Sequence, residues 1–152
     1  MKINYTYTNG KNADFKYLCD ELDGALNEIV GGEQNRNQYI EHNQLDDIHD
    51  VYIAYEGYTP IGCASFKKYL DGIAEAKRVF VSTGHRRQGI SKQLMKLIED
   101  KAKSQGYHTM ILETGRKMDT ANNMYKNLGY SVIPNYGVYG AMEASICFGK
   151  KL

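Results

Sequence analysis

Hydrophobic and polar positions change period several times along this chain. From Lys2 to Thr8, Ile3, Tyr5 and Tyr7 alternate with polar residues, which predicts a first strand. Phe15, Leu18, Cys19, Leu22, Leu26 and Ile29 then recur at helical spacing, an amphipathic helix expected to run out near Gly31-Gly32. Gln34 to Asp50 is polar, with Tyr39, Ile40 and Leu45 as its few anchors. Asp50 to Tyr55 and Ile61 to Lys68 read as two strands joined through Glu56-Gly57-Tyr58-Thr59-Pro60, a hairpin. Leu70-Asp71-Gly72 turns into the Glu75 strand, whose apolar stretch Val79-Phe80-Val81 is broken by Ser82-Thr83-Gly84. From Ile90 onward Leu94, Leu97, Ile98 and Ala102 restore a helical period, closed by Gly106. Thr109 to Leu112 is an apolar run that reads as a strand, Ala121, Met124, Tyr125 and Leu128 share one helical face, and Gly129 is placed to end that helix. The order β-α-(polar, a loop or a helix)-β-β-β-α-β-α-β-β is that of an α/β protein with a mixed sheet.

The turn Arg86-Arg87-Gln88-Gly89-Ile90-Ser91 therefore lies between a strand and a helix N-terminus. Four backbone N–H groups at such an end lack intrahelical partners, and the macrodipole adds roughly half a positive charge. Gly89 carries no Cβ to obstruct a ligand, and Arg86, Arg87 and Lys92 add long-range attraction. A diphosphate fits such a place. Neither the P-loop pattern nor the dinucleotide fingerprint occurs in the chain.

Bulk properties narrow the function classes. At 152 residues one domain, residues 1–152, is the default. Formal net charge is +1, so no whole-protein field favours nucleic acid or an anionic membrane. The basic residues cluster locally, which suits a small polyanion better than a polymer. Apolar runs fall far short of the roughly 20 residues that span a bilayer, and Met1-Lys2-Ile3-Asn4-Tyr5 lacks a signal-peptide core, so a cytoplasmic location is expected. Cys19, Cys63 and Cys147 are odd in number and widely spaced; reduced, mostly buried thiols are expected, with neither zinc nor a disulfide.

The R-x-x-G-x-S pattern Arg86 to Ser91, after the strand Val79-Phe80-Val81, resembles the pyrophosphate-binding motif of the GCN5-related N-acetyltransferases (GNAT), whose usual form is [QR]-x-x-G-x-[GA]. Ser91 is a small-residue departure. Glu113-Thr114-Gly115, then Ala121 with Met124-Tyr125 and Gly129-Tyr130, then Ile133-Pro134-Asn135-Tyr136-Gly137-Val138-Tyr139 follow in the order seen in a bacterial subgroup of that family. The resemblance implies a GNAT fold: a single mixed central sheet with flanking helices, in which two central parallel strands splay apart and a thioester enters between them. It also implies acetyl-CoA as acyl donor, an amine acceptor, no metal, and a possible homodimer.

The same resemblance distributes roles. Arg86, Arg87, Gln88, Gly89, Ile90, Ser91 and Lys92 would bind the diphosphate, and the main chain of Phe80 and Val81 the pantetheine arm; one such N–H would also serve the oxyanion. Glu75, fourteen residues before Gly89, sits where many family members carry a general base. A base is useful because an amine near pKa 10.4 is neutral in only about one molecule per thousand near neutral pH. The alternative for Glu75 is a solvated pair with Lys77 on the same strand face. Tyr125 would protonate the departing thiolate, or simply pack on its helix's apolar face. Glu113 is the rival carboxylate, or an acceptor-orienting group. Gln34, Tyr39, Asn43, Tyr136 and Tyr139 are candidates for the acceptor pocket. Many members have Asn seven residues before the tyrosine, where this chain has Met118. The function expected is direct acetyl transfer from acetyl-CoA to an amine of a small molecule or peptide; the alternative is a non-catalytic acyl-CoA sensor on the same fold.

Overall fold

The computed structural model describes residues 2–30, 45 and 47–152. Its strands are β1 (Ile3–Thr8), β2 (Asp50–Glu56), β3 (Thr59–Leu70), β4 (Ile73–Val81), β5 (Thr109–Gly115), β6 (Ser131–Ile133) and β7 (Ser145–Lys151). Among the described residues the helices are α1 (Ala13–Val30), α2 (Ile90–Ser104) and α3 (Asp119–Asn127), with 3-10 turns at Thr83–His85 and Gly137–Ala141. The strands form one seven-stranded sheet in the order β1-β2-β3-β4-β5-β7-β6. β4 and β5 pair in parallel, whereas β1–β2, β2–β3, β5–β7 and β6–β7 are antiparallel. The sheet is therefore mixed, and among the described residues the element order is the one the hydrophobic pattern predicts.

Two compact units divide the chain, Met1–Lys67 with Lys77–Ile98, and Lys68–Ala76 with Glu99–Leu152. In the first, the Asn12 side chain accepts hydrogen bonds from the Asp14 and Phe15 N–H groups (2.8 and 3.1 Å) and so caps α1. The buried stripe of that helix, Phe15, Leu18 and Cys19, packs against Ile48, Val51, Ile53, Cys63 and Phe80. The hairpin between β2 and β3 is tighter than the pattern suggests, because β3 begins at Thr59. Pro60 is accommodated where the register shifts between Ala54 and Tyr55, the kind of irregularity that tolerates a missing N–H.

In the second unit, β5 and β7 pair along their whole lengths, from Thr109↔Lys151 to Gly115↔Ser145. Helix α3 ends as expected at Gly129, whose φ of +96° a side chain would resist. Its N–H bonds to Lys126 O (3.1 Å) and that of Tyr130 to Tyr125 O (3.0 Å), the paired closure of a Schellman cap. Tyr130 is thereby turned inward, 3% exposed, with its hydroxyl donating to Glu99 Oε2 (2.7 Å). Lys150 Nζ donates to the other oxygen of Glu99 (2.9 Å). Among the described residues no helix is long and apolar enough to cross a membrane, and no cluster of His, Cys, Asp and Glu has metal-ligand geometry. All three cysteines are buried and free.

Candidate active site

The strand β4 runs from Glu75 towards the basic turn and is locally distorted. Arg78 lies in the left-handed region (φ +55°), rare for a residue with a Cβ and costly unless its surroundings hold it. Here Arg78 Nη1 donates to Asp23 Oδ1 (2.6 Å) and its carbonyl accepts from Cys63 Sγ (3.2 Å). Past this irregularity the Ser82 N–H donates to Ile61 O (2.8 Å). Backbone groups of an antiparallel pair bond at alternate residues, so Phe80 also turns its polar main chain to β3. Its carbonyl would stand 3.1 Å from a Cβ at Gly62. Val81 turns the other way, and its carbonyl accepts from Arg86 Nε (3.1 Å). Of the two strand-end residues expected to offer main chain to a pantetheine arm, the geometry turns Val81 away from β3 and Phe80 towards it.

That Arg86 bond clips the turn onto the strand end. Arg87 (φ +64°) and Gly89 (φ +76°) are both left-handed and flank Gln88, and left-handed residues in a turn are of the kind that can aim successive N–H groups to one side. The Gly89 carbonyl accepts from Gln93 N (3.1 Å), so Gly89 is the first capping residue of α2. A Cβ at Gly89 would meet nothing within 4 Å, so the space beside the helix start is open. Arg86, Arg87, Gln88, Gly89 and Lys92 are exposed and Ser91 half-buried. Ile90 is 2% exposed, so it can present only its N–H to a ligand while its side chain anchors the helix.

Glu75 sits in the other unit, where the parallel register of β4 with β5 ends: Ile73↔Thr109, Ala74↔Met110 and Glu75↔Ile111. It is 5% exposed, and Lys77 8%, so neither side chain faces solvent. Glu75 Oε2 instead accepts from the Tyr136 hydroxyl at 2.6 Å. Burial, then the adjacent Glu75 carboxylate, pushes the Tyr136 phenol far above its ordinary value, so it stays protonated and donates. Register puts Glu75, Ile111, Glu113 and Cys147 on one face of the sheet, since Ile111 opposes Glu75 and Glu113 opposes Cys147. Glu113 Oε2 accepts from the buried Ser145 hydroxyl (2.7 Å). Burial raises the Cys147 thiol, and the charges of Glu113 and Glu75 raise it further.

Tyr125 belongs to the opposite face. Its ring packs against Tyr130 and Phe148, with centroids 5.8 and 6.1 Å apart. Phe148 follows Cys147 on β7 and so projects the other way. Burial first, and the Glu113 charge second, hold the Tyr125 phenol above its ordinary value of 10.0. It is a protonated group at any neutral or mildly basic pH.

The late loop is where tertiary structure adds residues that pattern and motif did not single out. Asn135 Nδ2 donates to the carbonyls of Tyr139, Met142 and Ser145 (3.2, 3.3 and 3.1 Å). Arg116 reaches the carbonyls of Glu143 and Ser145 (3.1 and 3.0 Å), tying the end of β5 to the same loop. These bonds set Tyr136 between Tyr69 and Tyr139, with centroids 5.0 and 5.6 Å away. Tyr139 is 4% exposed. Asn122, helical and near Tyr125, spends its amide on the fold: it donates to Gly115 O and Arg116 O (3.2 and 3.3 Å) and accepts from the Thr114 hydroxyl. Met118 precedes that helix and packs its side chain on Gly115. Gln34, Tyr39 and Asn43 lie outside the described residues.

Comparison with known proteins gives the class to which this arrangement belongs. The model of the acetyltransferase (GNAT) family matches residues 15–130. An IAA acetyltransferase of Azospirillum brasilense is 29% identical over 136 residues, 89% of this chain and 88% of that protein. Among solved structures, a Klebsiella pneumoniae chain described as a candidate acyl-CoA N-acyltransferase superposes with a TM-score of 0.80 at 23% identity, covering 99% of this chain and 97% of that one. The PaiA N-acetyltransferase of Thermoplasma acidophilum, solved in complex with coenzyme A, gives 0.76 at 19% identity over 100% of both chains. Likeness at those identities shows the fold alone. The chain belongs to the GNAT family and is, as a member, an acetyl-CoA-dependent N-acetyltransferase.

Proposed function

We propose that residues 1–152 form one N-acetyltransferase domain that moves an acetyl group from acetyl-CoA to an amine of a small molecule or peptide, by direct transfer in a ternary complex. The observation that carries this reading is Glu75, a buried carboxylate at the end of the β4–β5 register, on the strand that leads directly into the α2 turn.

The donor's diphosphate is held by the N–H groups that open α2, with Arg86, Arg87 and Lys92 supplying charge. The Val81 main chain borders the pantetheine arm. The acceptor approaches from the face that carries Glu75 and Glu113, with Tyr136 and Tyr139 forming part of its wall. Glu75 takes a proton from the ammonium and passes it to solvent; the freed nitrogen adds to the thioester carbonyl carbon, forming the C–N bond, and gives its second proton to the regenerated carboxylate as the C–S bond breaks and leaves the amide. Tyr125, from the opposite face, gives its proton to the departing sulfur and regains one from solvent. A thiol near pKa 8.5 already leaves readily, so the tyrosine contributes less than the base. No acyl-enzyme is required, and the three cysteines are buried. Glu113, whose Oε2 accepts from the Ser145 hydroxyl, orients the acceptor ammonium.

Thermal melting with CoA and acetyl-CoA, followed by thiol release with a panel of amines, tests this. Wild type should show a saturable shift with both ligands and amine-dependent release. Glu75→Gln should keep the shift and lose about 10²–10⁴-fold in turnover. A shift with no release from any amine would favour an acyl-CoA sensor instead.

A further inference from the structure

We propose that Tyr136 is the positioning residue of the catalytic base: its hydroxyl fixes the Glu75 carboxylate and thereby sets the acid limb of the enzyme's pH–rate profile. The inference rests on Glu75 acting as base, and goes beyond it by assigning the base a fixed partner.

A buried carboxylate pays heavily for its charge unless donors replace the lost water. Glu75 is 5% exposed and takes a hydrogen bond of 2.6 Å from a neutral phenol. A donor to the charged form favours that form, opposing burial. Among the described groups of β5, β7 and the late loop, the others facing Glu75 do not do this work. From β5, Glu113 brings like charge to the same face; from β7, the Cys147 thiol is itself raised by both carboxylates; from the loop, Tyr139 packs its ring edge-on against Tyr136. Arg116 acts on Cys147, and its guanidinium is committed to the Glu143 and Ser145 carbonyls.

Tyr136 is also held too firmly to be a casual neighbour. Its ring lies edge-on to Tyr69 at 5.0 Å and near-perpendicular to Tyr139 at 5.6 Å, and Asn135 pins the loop behind it. Gly137, left-handed at φ +52°, lets the loop pass the Tyr69 hydroxyl, which would stand 3.2 Å from a Cβ there. Since the phenol stays protonated across the working pH range, Tyr136 is a permanent donor and not a proton relay.

Tyr136→Phe removes the donor and keeps the ring between its two tyrosine neighbours. With glutamate labelled at the carboxyl carbon and Glu75 assigned through Glu75→Gln, the Glu75 midpoint in the variant should lie about 1–2 pH units above wild type, the equivalent of one hydrogen bond to a charged group. The acid limb of thiol release from acetyl-CoA, measured with whichever panel amine supports release, should move by the same amount, with the high-pH plateau kept within several-fold. An unmoved carboxyl midpoint, with melting unchanged, overturns the positioning role. A moved midpoint with an unmoved kinetic limb overturns Glu75 as base and leaves the Tyr136 pair standing. A lowered plateau with neither midpoint nor limb displaced would mean that Tyr136 serves only packing.

Discussion

Placing a carboxylate at Gly89 should separate the anion site from the fold around it. Gly89 has φ +76° and nothing within 4 Å of a built Cβ, so a side chain costs backbone strain but no collision. Left-handed conformation costs an L-residue about 1–2 kcal/mol. In a protein of this size that lowers the melting temperature by roughly 2–8 °C, for Gly89→Ala and Gly89→Glu alike. The charge acts on the ligand instead. A carboxylate roughly 4 Å from a phosphate repels it by about 1 kcal/mol in water and about 4 kcal/mol at the effective dielectric near a protein surface. CoA should therefore bind to Gly89→Glu roughly 5- to 1000-fold more weakly than to Gly89→Ala. Isothermal titration with CoA at low and high salt reads this, and salt should narrow the gap. Gly84→Glu is the control, because Gly84 is also open and lies in the neighbouring turn, without the helix start behind it. If Gly89→Glu bound CoA like Gly89→Ala, or Gly84→Glu were equally impaired, the diphosphate would not rest on the first turn of α2.

Three further outcomes concern the second unit. Tyr125→Phe keeps the packing on Tyr130 and Phe148, so melting should hold while turnover falls by about tenfold, less than for Glu75→Gln. Because burial and then Glu113 raise the Tyr125 phenol above 10.0, its proton is retained at every pH below that; steady-state rates should show no loss assignable to this tyrosine up to about pH 10. A basic limb below pH 9 that Tyr125→Phe abolished would contradict this. Glu99→Gln leaves Lys150 and the buried Tyr130 hydroxyl without their shared carboxylate, and should cost about 1.5–3 kcal/mol in denaturant unfolding with CoA affinity unchanged.

The legible part of the fold was the part with a period. Alternation at Ile3, Tyr5 and Tyr7 and the helical recurrence from Ile90 to Ala102 each correspond to an observed element, and Gly129 ends α3 where its position suggested. The α1 cap at Asn12 has no signature in the sequence, because one polar residue among several looks like any other until its oxygen meets two N–H groups. The left-handed Arg78 has no signature in the sequence either: nothing in the identity of an arginine announces a positive φ, and partners such as Asp23 and Cys63 come from distant parts of the chain.

Local order and local charge were in the sequence by itself: which segments are strands and helices, where a basic turn precedes a helix, and which family's motifs the chain carries. Those properties depend on residues close together along the chain, so their spacing suffices. Partnership was not. That Glu75 bonds to Tyr136 across 61 residues, that Glu113 is engaged by Ser145, and that Asn122 spends its amide on the fold became evident only in three dimensions. Sheet register and a pinned loop decide which distant groups meet, and a buried carboxylate takes its chemistry from whatever donor the fold brings to it.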